Sequence, residues 1–140
     1  RVVEMEEKEW YTMMSINLQS VFLCCKAVLP QMLQQDHGKI VNISSRAAVK
    51  VVAGQAAYAV AKMGVITLTQ AIAEEVKGKN ITVNAILPSI IDTPANRAAM
   101  PKADYAKWVK PEAIADVILF LTSDASNVIN GAAIPVYGKA

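Results

Sequence analysis

The chain has 140 residues, of which 54% are hydrophobic; that is enough for one domain with its own core and sets it apart from disordered chains. Its 14 basic and 12 acidic residues leave a net charge of +2, and no basic run is interleaved with aromatics, which argues against a nucleic-acid partner. No uninterrupted apolar stretch reaches the roughly 18 residues of a membrane span and no signal-peptide pattern opens the chain, so the reading is cytoplasmic with no membrane partner.

The acidic residues Glu4, Glu6, Glu7 and Glu9 suit a helix N-terminus. From about 6 to 35 the residues Met13, Met14, Leu18, Val21, Phe22, Cys25, Val28, Leu29, Met32 and Leu33 lie largely on one broad apolar face. Pro30 is expected to kink this helix or split off its last turn. The adjacent Cys24 and Cys25 have no partner at metal-ligand spacing and read as buried free thiols, which suits a reducing compartment. Asp36-His37-Gly38 stops the helix, and a buried strand follows at 39–44.

A loop to about 55 leads into a second helix, 56–77, ended by Gly78. Ala57, Ala61 and Gly64 make part of it narrow, so another element can approach closely. A second strand, 80–87, stops at Pro88. The segment 90–108 holds Pro94 and Pro101 and reads as an irregular or partly helical lid. Pro111 opens a third helix to about 121, and 131–136 is a short last strand whose Pro135 suits a sheet edge. Helices alternating with apolar strands imply an α/β fold of one domain, 1–140, with three parallel strands and right-handed crossovers.

Four residues carry chemistry: Asn17, Ser45, Tyr58 and Lys62. Tyr58 and Lys62 stand at i and i+4, so both project from one helix face. A free phenol, with a pKa near about 10, exchanges protons poorly at neutral pH, and an ammonium one turn away favours the phenolate. Tyr58 is therefore the candidate general acid/base. Ser45, thirteen positions earlier, would hydrogen-bond a substrate oxygen whose charge changes as hydride moves at the adjoining carbon. Asn17 could hold a water that links Lys62 to solvent. Taken singly, each has a plainer reading: a packing tyrosine, a solvated lysine, a turn-forming serine, a surface asparagine. The spacing and order favour the joint reading. A hydrolase built on Ser45 is disfavoured, because His37 is the sole histidine and no Gly-x-Ser-x-Gly elbow surrounds the serine.

Met14-Ser15-Ile16-Asn17-Leu18, Gly38 through Ser45, and Tyr58-Ala59-Val60-Ala61-Lys62 occur in the order of successive motifs, and over essentially its whole length the chain resembles the short-chain dehydrogenase/reductase family. The resemblance implies the C-terminal half of a Rossmann-like doubly wound parallel sheet, with Asn17, Ser45, Tyr58 and Lys62 catalytic and Ser45 rather than Ser44 as the serine. It implies NAD or NADP as cofactor, its nicotinamide end held by Tyr58, Lys62, Pro88, Ile91 and Thr93. Val83-Asn84-Ala85-Ile86-Leu87-Pro88 is similar to the motif before the carboxamide loop, with Ser89 where the family usually has glycine. The lid from Asp92 to Trp108 is similar to that of dihydropteridine reductases. Reduction of a ketone, oxidation of a secondary alcohol, or reduction of a flat pterin-like molecule are the implied reactions.

The family's glycine-rich turn, which lets the backbone approach a pyrophosphate at a helix N-terminus, has no counterpart here. Glycines occur at 38, 54, 64, 78, 131 and 138 only, and the Asn-Asn-Ala-Gly segment is absent too. The chain is thus expected to be a truncated catalytic half lacking the N-terminal dinucleotide-binding βαβ units, impaired or inactive alone and poor at binding the cofactor alone. The strand at 39–44 is expected to present an open edge, and the chain to self-associate as a homodimer or homotetramer. Contact through the long helices, around the last helix and strand, or at the 39–44 edge are the routes. A separately supplied N-terminal half is another partner. The alternative function is a non-catalytic oligomerising half-fold.

Overall fold

In the computed structural model, which describes residues 1–139, Glu6 and Glu9 cap each other's backbone at the head of the first helix, the Glu6 N–H donating to Glu9 Oε2 at 3.3 Å. Helix α1 (Glu7–Met14) passes through a π-helical turn (Ser15–Gln19) into α2 (Ser20–Gln35) without leaving helical geometry. Pro30 neither ends α2 nor splits off its last turn, because α2 runs on through it to Gln35. The proline frees the Lys26 carbonyl from its intrahelical bond, and both residues are exposed, so water can serve that carbonyl. Asp36, at φ 46°, supplies the left-handed stop.

Strands β1 (Gly38–Ile43), β2 (Ile81–Pro88) and β3 (Ala133–Val136) form one sheet in that order, with both pairings parallel. The register runs from Gly38 opposite Ile81 to Ile43 opposite Ile86, then from Ala85 opposite Ala133 to Pro88 opposite Val136. Central β2 is buried at every position, which explains its unbroken apolar run. One of its faces puts Ile81 and Val83 against Cys25 of α2 and Ile72 and Val76 from the α3 (Ala56–Glu75) side. The other sets Ile86 with Ile134 against Ile114 and Leu121 of α5 (Pro111–Thr122). The sheet therefore lies between two helical layers, and Pro135 sits exposed on edge strand β3.

The narrow stretch of α3 is used as expected at Gly64, where Leu18 fills the space a side chain would need. Of the two thiols, Cys25 is buried but Cys24 is exposed. The correction follows from helical geometry: neighbours lie about 100° apart, and only Cys25 faces the sheet. Within the lid, α4 (Pro94–Ala99) and a 3₁₀ turn (Tyr105–Lys107) are the ordered pieces, and a parallel bridge between Ile91 and Val109 closes its base.

Two surfaces lack cover among the described residues. The outer edge of β1 pairs with no strand. The helical run Glu7–Gln35, long and apolar enough by composition for a membrane span, has only 6% of its most apolar window buried, and Phe22, Leu23, Val28 and Leu33 are exposed along it.

Candidate active site

β1 and β2 both run out at the same end of the sheet, the end where loops of a parallel sheet converge. Beyond β1 the chain turns at once: Ser45 Oγ accepts the Ala47 N–H at 3.1 Å and caps a 3₁₀ turn (Arg46–Ala48). The chain then returns through α3, which carries Tyr58 in its first turn. Ser45 and Tyr58, both half-buried, line one cavity of about 300 Å³ together with Arg46, Gln55, Pro88 and Ile90. On its other side Tyr58 borders a more apolar cavity of about 460 Å³, walled by Met5, Thr12, Met13 and Ile16.

The two adjacent serines have separate fates. Ser44 is buried, and its Oγ donates to the Lys62 carbonyl at 2.7 Å. Ser45 keeps its hydroxyl at the cavity. Because its oxygen already accepts the Ala47 N–H, its own proton is left to point at a bound oxygen.

Lys62 follows Tyr58 by one turn. Its Nζ lies 5.8 Å from the centre of the Tyr58 ring and donates to the Ile43 carbonyl at 3.0 Å. Burial pushes the Lys62 pKa below its usual value. Lys62 shares a groove of about 300 Å³ with Ile16, Asn17, Val21, Val41 and Ile43. Asn17 lies within the π-helical turn, a feature that recurs at functional sites, and its Nδ2 donates to the Met13 carbonyl at 3.1 Å. The quartet thus falls into two pairs, Ser45 with Tyr58 and Asn17 with Lys62, linked through one turn of α3.

Pro88 joins the Ser45–Tyr58 cavity, whereas Ile91 and Thr93 stand at the base of the lid instead. The Ile91 side chain packs in the α5-side core and its carbonyl accepts from Asn96 Nδ2 at 2.7 Å. Thr93 Oγ1 accepts the Asn96 N–H and caps α4.

Sequence reasoning missed Asp92. Its carboxylate, with only 4% of the side chain exposed, accepts from Arg97 Nε at 2.6 Å and from Lys110. These two cations hold its pKa well below the usual carboxylate range. Arg97 also stacks over Tyr105, 4.6 Å from the ring centre. Asp92 therefore ties the first helix of the lid to the residue beyond its last turn. The only available signal was an acid between Pro88 and Pro94 with basic residues 5 and 18 positions further along the chain, which is too common to stand out. Arg46 and Gln55 were also missed, though the loop after a strand's carboxyl end is where such residues belong.

Residues 1–138 match a family model described as enoyl-(acyl carrier protein) reductase. The chain is 39% identical to the 3-oxoacyl-[acyl-carrier-protein] reductase FabG of Thermotoga maritima, covering 98% of this chain and 59% of that protein. It is 38% identical to the protein of the same name from Chlamydia trachomatis, covering 98% and 58%. The crystal structure of levodione reductase superimposes with a TM-score of 0.88 at 30% identity, over 98% of this chain and 59% of that one. The chain therefore spans about three fifths of the length of these relatives.

Proposed function

The chain belongs to the short-chain dehydrogenase/reductase family, and from that premise we propose that it carries the proton-handling part of an NAD(P)-dependent oxidoreductase acting on a carbonyl or secondary alcohol. The observation that carries this reading is the joint exposure of Ser45 and Tyr58 in one cavity at the carboxyl end of the sheet. In reduction, the Tyr58 hydroxyl gives its proton to the carbonyl oxygen as hydride reaches the carbon; oxidation runs the other way. Ser45 donates to the same oxygen and stabilises its developing charge. The Lys62 ammonium favours the phenolate left behind, and Asn17 holds water between Lys62 and solvent.

A nicotinamide cofactor supplies or accepts the hydride when bound. By the family likeness Tyr58, Lys62, Pro88, Ile91 and Thr93 would hold its nicotinamide portion, and of these Tyr58 and Pro88 share the cavity beside Ile90. No glycine cluster fits the pyrophosphate. We therefore assign impaired or no activity to the chain alone. The relatives' activity as 3-oxoacyl-[acyl-carrier-protein] reductases favours a 3-oxoacyl thioester as substrate, and the lid's likeness to dihydropteridine reductases favours a flat pterin-like one. The two free thiols suit the reducing cytoplasm.

A second reading, an oligomerising half-fold without catalysis, is favoured by the exposed Phe22, Leu23, Val60 and Met63 on the two long helices. One fusion separates the two. The portion of the Thermotoga maritima relative that this chain does not match is joined ahead of Arg1, and NADPH oxidation is followed with an acetoacetyl thioester. The fusion should turn over, the isolated chain should not, and Tyr58→Phe should cost the fusion about 10²-fold or more. A folded fusion without turnover would leave only the non-catalytic reading, and one that turns over equally well with Tyr58→Phe would overturn Tyr58 as the acid/base.

A further inference from the structure

Among the described residues, the cavity that Ser45 and Tyr58 share has no acidic wall. Its polar lining is Ser45, Arg46, Lys50, Gln55, Tyr58 and Ser89, and the rest is apolar. Neither cation, Arg46 or Lys50, pairs with a carboxylate among the described residues. Of the three arginines, Arg97 donates through both Nε and Nη2 to Asp92 and Arg1 is exposed, whereas Arg46 is half-buried at the cavity. Its guanidinium rests over the Tyr137 ring, 5.6 Å from the centre. A stack of this kind uses the charge against the ring face and leaves the forked N–H donors free for a planar anion.

Both ends of the stack are fixed. Arg46 opens the 3₁₀ turn that Ser45 caps, and its carbonyl accepts the Val49 N–H at 3.1 Å and the Lys50 N–H at 2.8 Å. Tyr137 is tied to the segment after β2: its carbonyl accepts from Ser89 Oγ at 2.7 Å, and the Ser89 N–H donates to the Val136 carbonyl at 3.2 Å. Ser89 stands where the family resemblance expects glycine, so its hydroxyl supplies an anchor that glycine would not. A half-buried guanidinium without a protein counter-ion has given up hydration that an arriving anion makes good.

We propose that Arg46 sets substrate specificity: it takes an anionic group, a carboxylate or a phosphate, that the substrate carries a few bonds from the carbonyl held by Ser45 and Tyr58. Lys50 adds to the field without the fork. The assignment rests on the oxidoreductase reading given above. Ser45 and Arg46 are consecutive, with Cα atoms about 3.8 Å apart, so carbonyl and anion belong to one small molecule. The cavity volume of about 300 Å³ lies at the lower end of ligand pockets and suits the same size. A short oxo acid or an oxoalkyl phosphate satisfies both ends. A neutral ketone or a neutral pterin leaves Arg46 without its ion.

The first arm of the test needs no turnover. In the isolated chain, saturating levulinate or dihydroxyacetone phosphate should slow modification of Arg46 by phenylglyoxal at least about threefold, read by mass spectrometry with Arg1 as internal standard. Methyl levulinate, the neutral counterpart, should give no such protection. In the fusion described above, kcat/KM for the better of the two anions should exceed that for the ester at least about tenfold, as a charge-assisted pair allows. Arg46→Met should collapse this ratio, mainly through KM, and Arg46→Lys should restore part of it as a point charge without the fork. Preference for either anion supports the assignment, and the preferred one names the group. Absence of anion protection at Arg46, or an ester handled as well as both anions, would overturn it. So would a ratio that survives Arg46→Met but falls in Lys50→Met, or equal losses on anion and ester, the mark of a purely structural stack on Tyr137. Protection without turnover defeats the oxidoreductase reading and leaves the anion site, whereas turnover without anion preference defeats the site alone.

Discussion

Ser44 Oγ donates to the Lys62 carbonyl across 2.7 Å, so the end of β1 is pinned to α3 one turn past Tyr58. The bond fixes how the first turns of α3 sit over the sheet, and with them where Tyr58 meets Ser45. Ser44 is buried and Ser45 faces the cavity, so neighbouring serines should answer differently to the same change. Ser44→Ala should cost about 1–2 kcal/mol in urea unfolding. Ser45→Ala should cost less than about 1 kcal/mol, the value of a turn cap, yet abolish turnover in the fusion. Equal unfolding penalties would remove the distinction.

Gly64 in α3 faces Leu18 of the π-helical turn so closely that an added Cβ would stand 2.7 Å from Leu18 Cδ2. The Leu18 end is flexible, so Gly64→Ala should be tolerated. Gly64→Val should cost about 1–3 kcal/mol by overpacking. Paired with Leu18→Ala, the valine should recover part of that loss, a coupling that a double-mutant cycle in urea would measure.

Asp92 holds Arg97 and Lys110 at once, and its folded pKa is depressed. A depressed carboxyl pKa contributes stability that is fully present above the unfolded value, about 3.9, and that declines below it until pH has fallen through the lower folded value. The lid should therefore stay shut at neutral pH and open progressively to acid-active proteases as pH falls below ~4. Asp92→Asn should expose the 93–108 segment to cleavage already at neutral pH. Identical digestion of both proteins would mean that the bridge from Ile91 to Val109 closes the lid unaided.

Val60 and Met63 lie exposed on α3, as Phe22 and Leu23 do on α2, and apolar faces of this extent are commonly covered by another chain. Sedimentation velocity should show the chain above monomer mass at micromolar concentration. Val60→Glu with Met63→Glu should shift it toward monomer, whereas Tyr58→Phe should leave its assembly unchanged. A wild-type chain that sediments as a monomer when dilute would contradict this.

Much of the architecture was legible along the chain, because apolar period, turn residues and strand length are local properties. The order of helices and strands, the helix stop at 36–38 and the edge position of Pro135 all followed from residues within a turn or two of each other. The split at Pro30 did not follow, because the cost of an interior proline depends on whether water can reach the freed carbonyl, which is a property of the surface and not of the sequence. Cys24 misled for a similar reason: an apolar neighbourhood in sequence covers all sides of a helix, and only one side meets the sheet.

The candidate site divides along the same line. Sequence by itself grouped Asn17, Ser45, Tyr58 and Lys62 as candidates, because their order and spacing resemble successive motifs of one family, and it offers no glycine cluster beside them. Tertiary structure alone decided which partner each holds. It sent Ser44 into the α3 backbone and Ser45 to the cavity, drew Lys62 onto the Ile43 carbonyl, and joined Asp92 to Lys110 across the lid. Those contacts link residues far apart in the chain, and hydrogen bonds depend on angstrom-scale placement that only the packed sheet and helices provide.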